Sequence, residues 1–369
     1  METTMRLRSR LFLSVCLAAI IPAATALADS TDGTLEIYFI DVEGGAATLI
    51  VTPAGESMLI DSGYPDNQGR DLNRIVTVAR DLEHLTQIDH AVVSHWHLDH
   101  YGNHAALKAA FGIGQFWDRG IPDELSEDPG YPDRIAAYRA ASQNQSHTLK
   151  VGDRLPLKSG PTALDVSVMT ASREVATGGE PNPFAGRHTP QPDDPSDNSA
   201  SLSLLFGFGD FRFLTCGDLT WNMEAKLVTP NNPVGAVDLF MVTHHGLNVS
   251  NNPALVLAVD PVVAVMCNGP KKGGAESTLQ TLREVASLQD WFQLHRNVDL
   301  DPGQQAPAEF IANSGSTADC QGQWVKAVVA ADGRSYTVQI GPDGTVHRYQ
   351  TRSRQSRRMP AGGGSRKPG

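Results

Sequence analysis

The chain has 369 residues, 40% of them hydrophobic, and a formal charge of −11. That is ample for a large core and excludes both a small disulfide scaffold and an intrinsically disordered chain. The charge is uneven: residues 351–369 carry six basic groups and no acid, and the leader carries Arg6, Arg8 and Arg10 against Glu2, so the body between them stands at −19 and lacks the electrostatic footprint of a nucleic-acid-backbone binder.

Residues 1–28 read as a secretory signal. Arg6, Arg8 and Arg10 form its positive region, Leu11 to Ala24 its short apolar stretch, and Ala26-Leu27-Ala28 a small-residue cleavage site. The apolar stretch is short for a membrane anchor and contains Pro22. A soluble mature protein starting at Asp29, secreted or periplasmic and without a transmembrane segment, is expected.

Leu35 to Val42 alternates as a strand does and turns at Gly44-Gly45. Strands over 46–51 and 57–60 follow, the latter stopping at Asp61-Ser62-Gly63. Leu72, Ile75, Val78 and Ala79 have helical spacing over 71–82. His90 to Val93 is a buried strand, and 103–111 a helix. The stretch 174–198 is rich in Gly, Pro, Asp and Asn and reads as a long loop of the kind that serves as a lid or binding segment. Strands over 201–206 and 211–216 form a hairpin turning at 207–210. A helix over 223–228, strands over 237–242 and 261–266, and a helix over 277–287 complete the main unit. Strands over 324–329, 335–340 and 345–349 read as a small β-meander, and 351–369 as a disordered basic tail. The expected division is 1–28, a main domain over 29–310, the meander over 311–350, and the tail. Strands first and strand–helix units after them predict an α/β fold of two sheets covered by helices.

Cys216, Cys267 and Cys320 remain after the leader is removed, too few for a disulfide framework. One bridge, Cys267 to Cys320, is the pairing expected in an oxidising compartment.

The chemistry concentrates in Ser94-His95-Trp96-His97-Leu98-Asp99-His100, three imidazoles and a carboxylate at the end of an apolar strand. These are the usual ligands of zinc, manganese or iron at hydrolytic sites. In an extended segment His95 and His97 face the same way, leaving Asp99 and His100 for a second ion. Two further strand ends add Asp218, after Gly217, and His244-His245, before Gly246. Asp218 could bridge two metals.

This pattern resembles the metallo-β-lactamase superfamily, whose H-x-H-x-D-H signature appears as His95-Trp96-His97-Leu98-Asp99-His100. The resemblance covers roughly residues 33–300 and implies an αββα sandwich with two metal ions, zinc or else manganese. It implies His95, His97, Asp99, His100, Asp218 and His245 as ligands, with Asp61 steadying the cluster loop. Within the superfamily the chain is similar to the extracellular hydrolase domain of competence DNA-uptake channel proteins and to phosphorylcholine esterases. Their F-x-D-V-G-Q-G-D opening reads Phe39-Ile40-Asp41-Val42-Glu43-Gly44-Gly45-Ala46, departing at Glu43, Gly44 and Ala46. Their N-x-x-S-L strand is matched by Asn198 to Leu202, and their H-H-G by His244-His245-Gly246. The channel itself is absent, so DNA uptake is not implied. Asn198 stands where many members place a third histidine for the first metal; His188, His147 or neither fills that role.

The resemblance implies hydrolysis by a metal-bound hydroxide, with Asp99 and His244 as catalytic candidates, His244 as proton donor or oxyanion holder against a structural role. A phosphoester or phosphodiester leads as substrate. A lactone, ester or β-lactam is the alternative, and a non-catalytic binding protein the second. Glu43 could meet a substrate amine. Trp96 and Tyr101 line a pocket or fill the core. His104 reads as a surface or supporting residue, His84 and His90 as structural, and His295 and His347 as surface or packing residues.

Overall fold

The computed structural model describes residues 33–65, 67–314 and 317–353. The signal segment and the tail from 354 lie outside the described residues. In the first sheet, β1 (Leu35–Phe39), β2 (Thr48–Val51) and β3 (Ser57–Ile60) pair antiparallel. After them β4 (Ile88–Val92), β5 (Ile113–Asp118) and β6 (His147–Thr148) continue parallel. The second sheet opens with β7 (Leu164–Ala171) and β8 (Glu174–Val175). In the long loop a two-residue ladder joins β9 (Glu180–Pro181) to β12 (Asn231–Asn232). The hairpin β10 (Ser203–Phe208) and β11 (Phe211–Thr215) follows β7 antiparallel, and β13 (Leu239–Met241), β14 (Val263–Met266), β15 (Asp290–His295) and β16 (Ile311–Asn313) extend it in parallel.

The C-terminal strands β17 (Val325–Val329), β18 (Ser335–Ile340) and β19 (His347–Gln350) form the expected meander. It pairs with β1, Leu35 opposite Val329, and so continues the first sheet.

The pleat explains the layers. On β1, Leu35, Ile37 and Phe39 face the second sheet and pack with Phe206, Phe213, Leu239 and Phe292. Tyr38 and Ile40 face the other way, under α1 (Arg70–Val76), α3 (His104–Ala110) and α4 (Tyr131–Ala141). Between α1 and α3 lies α2 (Leu98–Tyr101), one turn inside the histidine cluster. The outer face of the second sheet, with Leu205, Leu214, Phe240 and Ala264, is covered by α5 (Trp221–Val228), α6 (Pro253–Val259) and α7 (Glu276–Glu284). The result is the α/β sandwich expected from the sequence.

Three expectations change. The hairpin strand runs on to Phe208, and Gly209, at φ 57°, makes the turn with Asp210. The Cys267–Cys320 bridge is not formed: all three described cysteines are free. Cys267 is packed in the core between the sheets, whereas Cys320 sits in a polar niche, donating to Asp41 Oδ2 at 3.2 Å. The start of the basic tail is tied down, because Thr351 N donates to Arg334 O and Arg352 N to Asp238 Oδ1. Among the described residues no helix is long and apolar enough to cross a membrane.

Candidate metal centre

The cluster gathers at the carboxyl ends of strands from both sheets, where loops leave the core with free donor groups. Asp61 follows β3, Ser94 to His100 follow β4, Asp218 follows β11, and His244 and His245 follow β13. Gly217 has φ 53°, and a Cβ there would meet the Ser94 side chain at 3.0 Å. Glycine therefore lets the Asp218 turn press against the histidine segment. His244 (φ 53°), His245 (φ 54°) and Asp61 (φ 61°) all take left-handed backbone, a cost that large side chains ordinarily avoid.

The hydrogen bonds fix which ring nitrogens carry protons. His245 Nδ1 lies 2.9 Å from the Cys267 carbonyl, which can only accept, so Nδ1 donates and, in the neutral ring, Nε2 keeps its lone pair. His100 Nδ1 donates to Asp61 Oδ2 at 2.8 Å. The Ser250 hydroxyl gives its proton to Leu219 O at 2.8 Å, so it accepts from His244 Nδ1 at 3.0 Å and His244 Nε2 is also a lone pair. Ser94 Oγ donates to Asp61 Oδ2 at 2.7 Å and accepts from His95 Nδ1 at 3.1 Å. His97 Nε2 donates to Glu127 Oε1 at 3.3 Å, leaving Nδ1 free.

These lone pairs point at acceptors. Asp99, His100, Asp218 and His245 bring ligand atoms within 4.8 Å of one another, all buried. His100 Nε2 and His245 Nε2 are 3.3 Å apart. Asp218 Oδ2 lies 3.2 Å from His100 Nε2, 3.3 Å from His245 Nε2, 3.3 Å from His244 Nε2 and 3.9 Å from His95 Nε2. His95 Nε2 and His97 Nδ1 face each other at 3.2 Å. Carboxylates and imidazole nitrogens converging in a buried site call for positive charge between them, a proton or a cation, and this donor set suits a divalent metal.

Charge agrees with geometry. Burial disfavours ionised Asp99 and Asp218, but the imidazoles, His100 foremost, hold both carboxyls well below the usual range. Burial also opposes a charged His100, yet Asp218, Asp99 and Asp61 raise its proton affinity well above the ordinary value. A metal cation answers the same negative field while satisfying every donor.

Other expected residues lie elsewhere. His188 does not join the cluster: its Nδ1 meets Asn252 Nδ2 at 2.8 Å. His147 is exposed and stacks on Trp117, ring centroids 4.4 Å apart. Asn198 is at the rim, its Nδ2 3.5 Å from His244 Nε2. His104 is buried, not on the surface, with Ser62 Oγ 2.7 Å from its Nδ1. His90 is a buried structural residue, taking Trp117 Nε1 on Nδ1. Trp96 and Tyr101 fill the core under α4, edge to face. Glu43 is not free for a substrate amine, since Arg70 and Arg74 pair with its two oxygens at 3.0 and 3.1 Å. His295 is fully buried against Asp41 at 2.7 Å, with Cys320 beside it. That trio already has its cation in Arg74, 2.8 Å from Asp41.

Sequence reading missed Ser94, Ser250 and Glu127, which orient the imidazoles, and Lys272, whose ammonium pairs with Asp99. Ser94 and Ser250 lie beside the histidine motifs and could have been tested as partners. Nothing local marks Glu127 or Lys272.

A family profile described as the metallo-beta-lactamase superfamily matches residues 40–292. The chain belongs to the metallo-β-lactamase superfamily. Solved structures similar to this superfamily member include a mutant of the CmlA β-hydroxylase, at 17% identity over 70% of this chain and 52% of that one, with TM-score 0.40. A candidate metal-dependent hydrolase from Parabacteroides distasonis is similar at 13% identity over 71% and 93%, TM-score 0.38. MEM-A1, a subclass B3 metallo-β-lactamase isolated from a soil metagenome library, is similar at 16% over 73% and 77%, TM-score 0.31. The chain spans about half the length of the first of these, 52%. No curated protein matches it in sequence.

Proposed function

We propose that this superfamily member is an exported hydrolase that works with two metal ions, zinc or else manganese, on a phosphoester or phosphodiester. The observation that carries the reading is the set of imidazole nitrogens, from His95, His97, His100, His244 and His245, that converges with the Asp99 and Asp218 carboxylates in one buried site. His95, His97 and His244 would hold one ion, Asp99, His100 and His245 the other, with Asp218 between them. In this reading His244 is a ligand and not a proton donor, because its only N–H is committed to Ser250. It takes the place that His188 and His147 leave empty. A bound pair of ions supplies Lewis acidity, lowering the pKa of water and polarising the scissile bond. The protein orients the donors and buries most of them, with the His97 side chain 23% exposed.

The phosphoester assignment is supported by the likeness of Phe39-Ile40-Asp41-Val42, Asn198 to Leu202 and His244-His245-Gly246 to the competence-channel hydrolase domain and phosphorylcholine esterases. The leader pattern supports export. The test is metal content per chain beside turnover of bis-p-nitrophenyl phosphate, a chromogenic lactone and nitrocefin, in the native protein and in His97→Ala and Asp218→Ala. Two metals and phosphodiester turnover lost in both variants are expected. Turnover confined to the lactone or nitrocefin would replace the substrate class. No metal after reconstitution with zinc or manganese would sink the hydrolase reading.

A further inference from the structure

A cleft of about 630 Å³ opens beside the metal centre, lined by Glu43, Tyr64, Arg70, Lys271, Lys272 and the apolar side chains of Pro270, Val298 and Ala318. Its one lining acid, Glu43, is occupied by Arg70 and Arg74. Arg70 in turn is shared with Asp71. Lys271 is exposed and has no acidic partner among the described residues. Lys272 is one-third exposed and stands between the two spaces: its Nζ pairs with Asp99 and lies 5.8 Å from the Tyr64 ring centroid.

The loop that carries both lysines is held in place. Gly269 N bonds Lys272 O, Val298 N bonds Pro270 O, Asn297 Nδ2 bonds Gly273 O and Gly274 N bonds His245 O. The lysines are thus fixed to the same backbone that positions His245. A cation placed this way, facing apolar walls and next to a ligand carboxylate, suits an anion attached to an apolar or flat body.

We propose that this cleft is a substrate subsite in which Lys271 and Lys272 bind an anionic group, phosphate, sulfonate or carboxylate, carried on an apolar moiety and distinct from the bond that is cleaved. The proposal rests on the hydrolase reading for the word substrate, but anion binding is measured separately from it. The probe is naphthalene-1-sulfonate, a poor metal ligand with a flat apolar body. It is titrated calorimetrically into the metal-loaded native protein, into Lys271→Met, Lys272→Met and the double variant, and into Lys150→Met as a charge control elsewhere. Metal content and far-UV circular dichroism are recorded for each.

Saturable binding is expected in the native protein and Lys150→Met, weakened about tenfold or more in the double variant with fold retained, which is the loss of one or two charge-assisted contacts. Unchanged binding in the double variant, or none in the native protein up to about 10 mM, overturns the subsite. Noncompetitive behaviour against a turned-over ester overturns its assignment to substrate. A protein that binds sulfonate through the lysines yet holds no metal keeps the anion site and loses the hydrolase reading, so the two fail separately.

Discussion

His100 Nδ1 donates to Asp61 Oδ2 at 2.8 Å, and the same carboxylate accepts from the Ser94 amide at 2.8 Å and the Ser94 hydroxyl at 2.7 Å. One buried acid, 1% exposed, therefore sets the direction of two imidazoles, His100 directly and His95 through Ser94. A partner of this kind typically changes metal affinity about 10–100-fold. Asp61→Asn presents an amide in place of one accepting oxygen and should weaken metal binding by about that factor. Titration against a competing chelator checks it. Native affinity in Asp61→Asn would show that the carboxylate does not orient the cluster.

Ser250 does for His244 what Asp61 does for His100, with no charge. It is buried at 1% exposure, and its removal strands both the His244 N–H and the Leu219 carbonyl. Ser250→Ala should cost about 1–2 kcal/mol of stability by denaturant unfolding. It should also release the tautomer and lower the retention of metal during dialysis. Native metal affinity in Ser250→Ala would show that the serine does not orient His244.

His97 is steered from a different direction. Glu127, in the loop between β5 and α4, accepts from His97 Nε2 at 3.3 Å and from the Asp197 amide at 2.6 Å. Glu127→Gln keeps an accepting oxygen and should preserve metal content. Glu127→Ala frees the ring and the Asp197 loop and should lower affinity about tenfold, within the range for partners of metal ligands. Equal metal content in the two variants would show that the bond is incidental.

The parts of this arrangement that were readable share a cause. β4, β11 and β13 are short, largely apolar strands, and the ligand residues follow their ends, so hydrophobic pattern and ligand chemistry point to the same places. The region 112–173 has no element predicted from its pattern, although Leu164, Val166 and Val168 of β7 alternate on one face. α4 is harder, because only Tyr131, Ile135 and Tyr138 are buried and the remaining residues are mostly polar or small. His244 and His188 show the limit of spacing as a guide. Which one faces Asp218 depends on the left-handed backbone after β13 and on Asn252, a tertiary partner 64 positions from His188. Glu127 and Lys272 reach the cluster across 30 and 173 positions, distances no local pattern encodes.

Glu224 on α5 links stability to pH through the same corner of the site. It is fully buried, and its Oε2 accepts from the Asn252 amide at 2.7 Å, fastening the loop that contains Ser250. Burial pushes its pKa from 4.5 up to about 7, against the lowering effect of the Asn252 and Asn251 amides. Between those two values the unfolded chain is ionised while the folded chain keeps its proton, so the unfolded state binds fewer protons and stability falls as pH rises. The contribution is complete below about pH 4.5 and lost above about pH 7. Glu224→Gln retains an accepting oxygen for Asn252 and removes the ionisation. It should be more stable than the native chain above pH 7, on the order of 2 kcal/mol, with the gap closing toward pH 5. Denaturant midpoints measured across that range check the sign. A gap that does not narrow with falling pH would mean that Glu224 ionises in the folded protein as it does in the unfolded one.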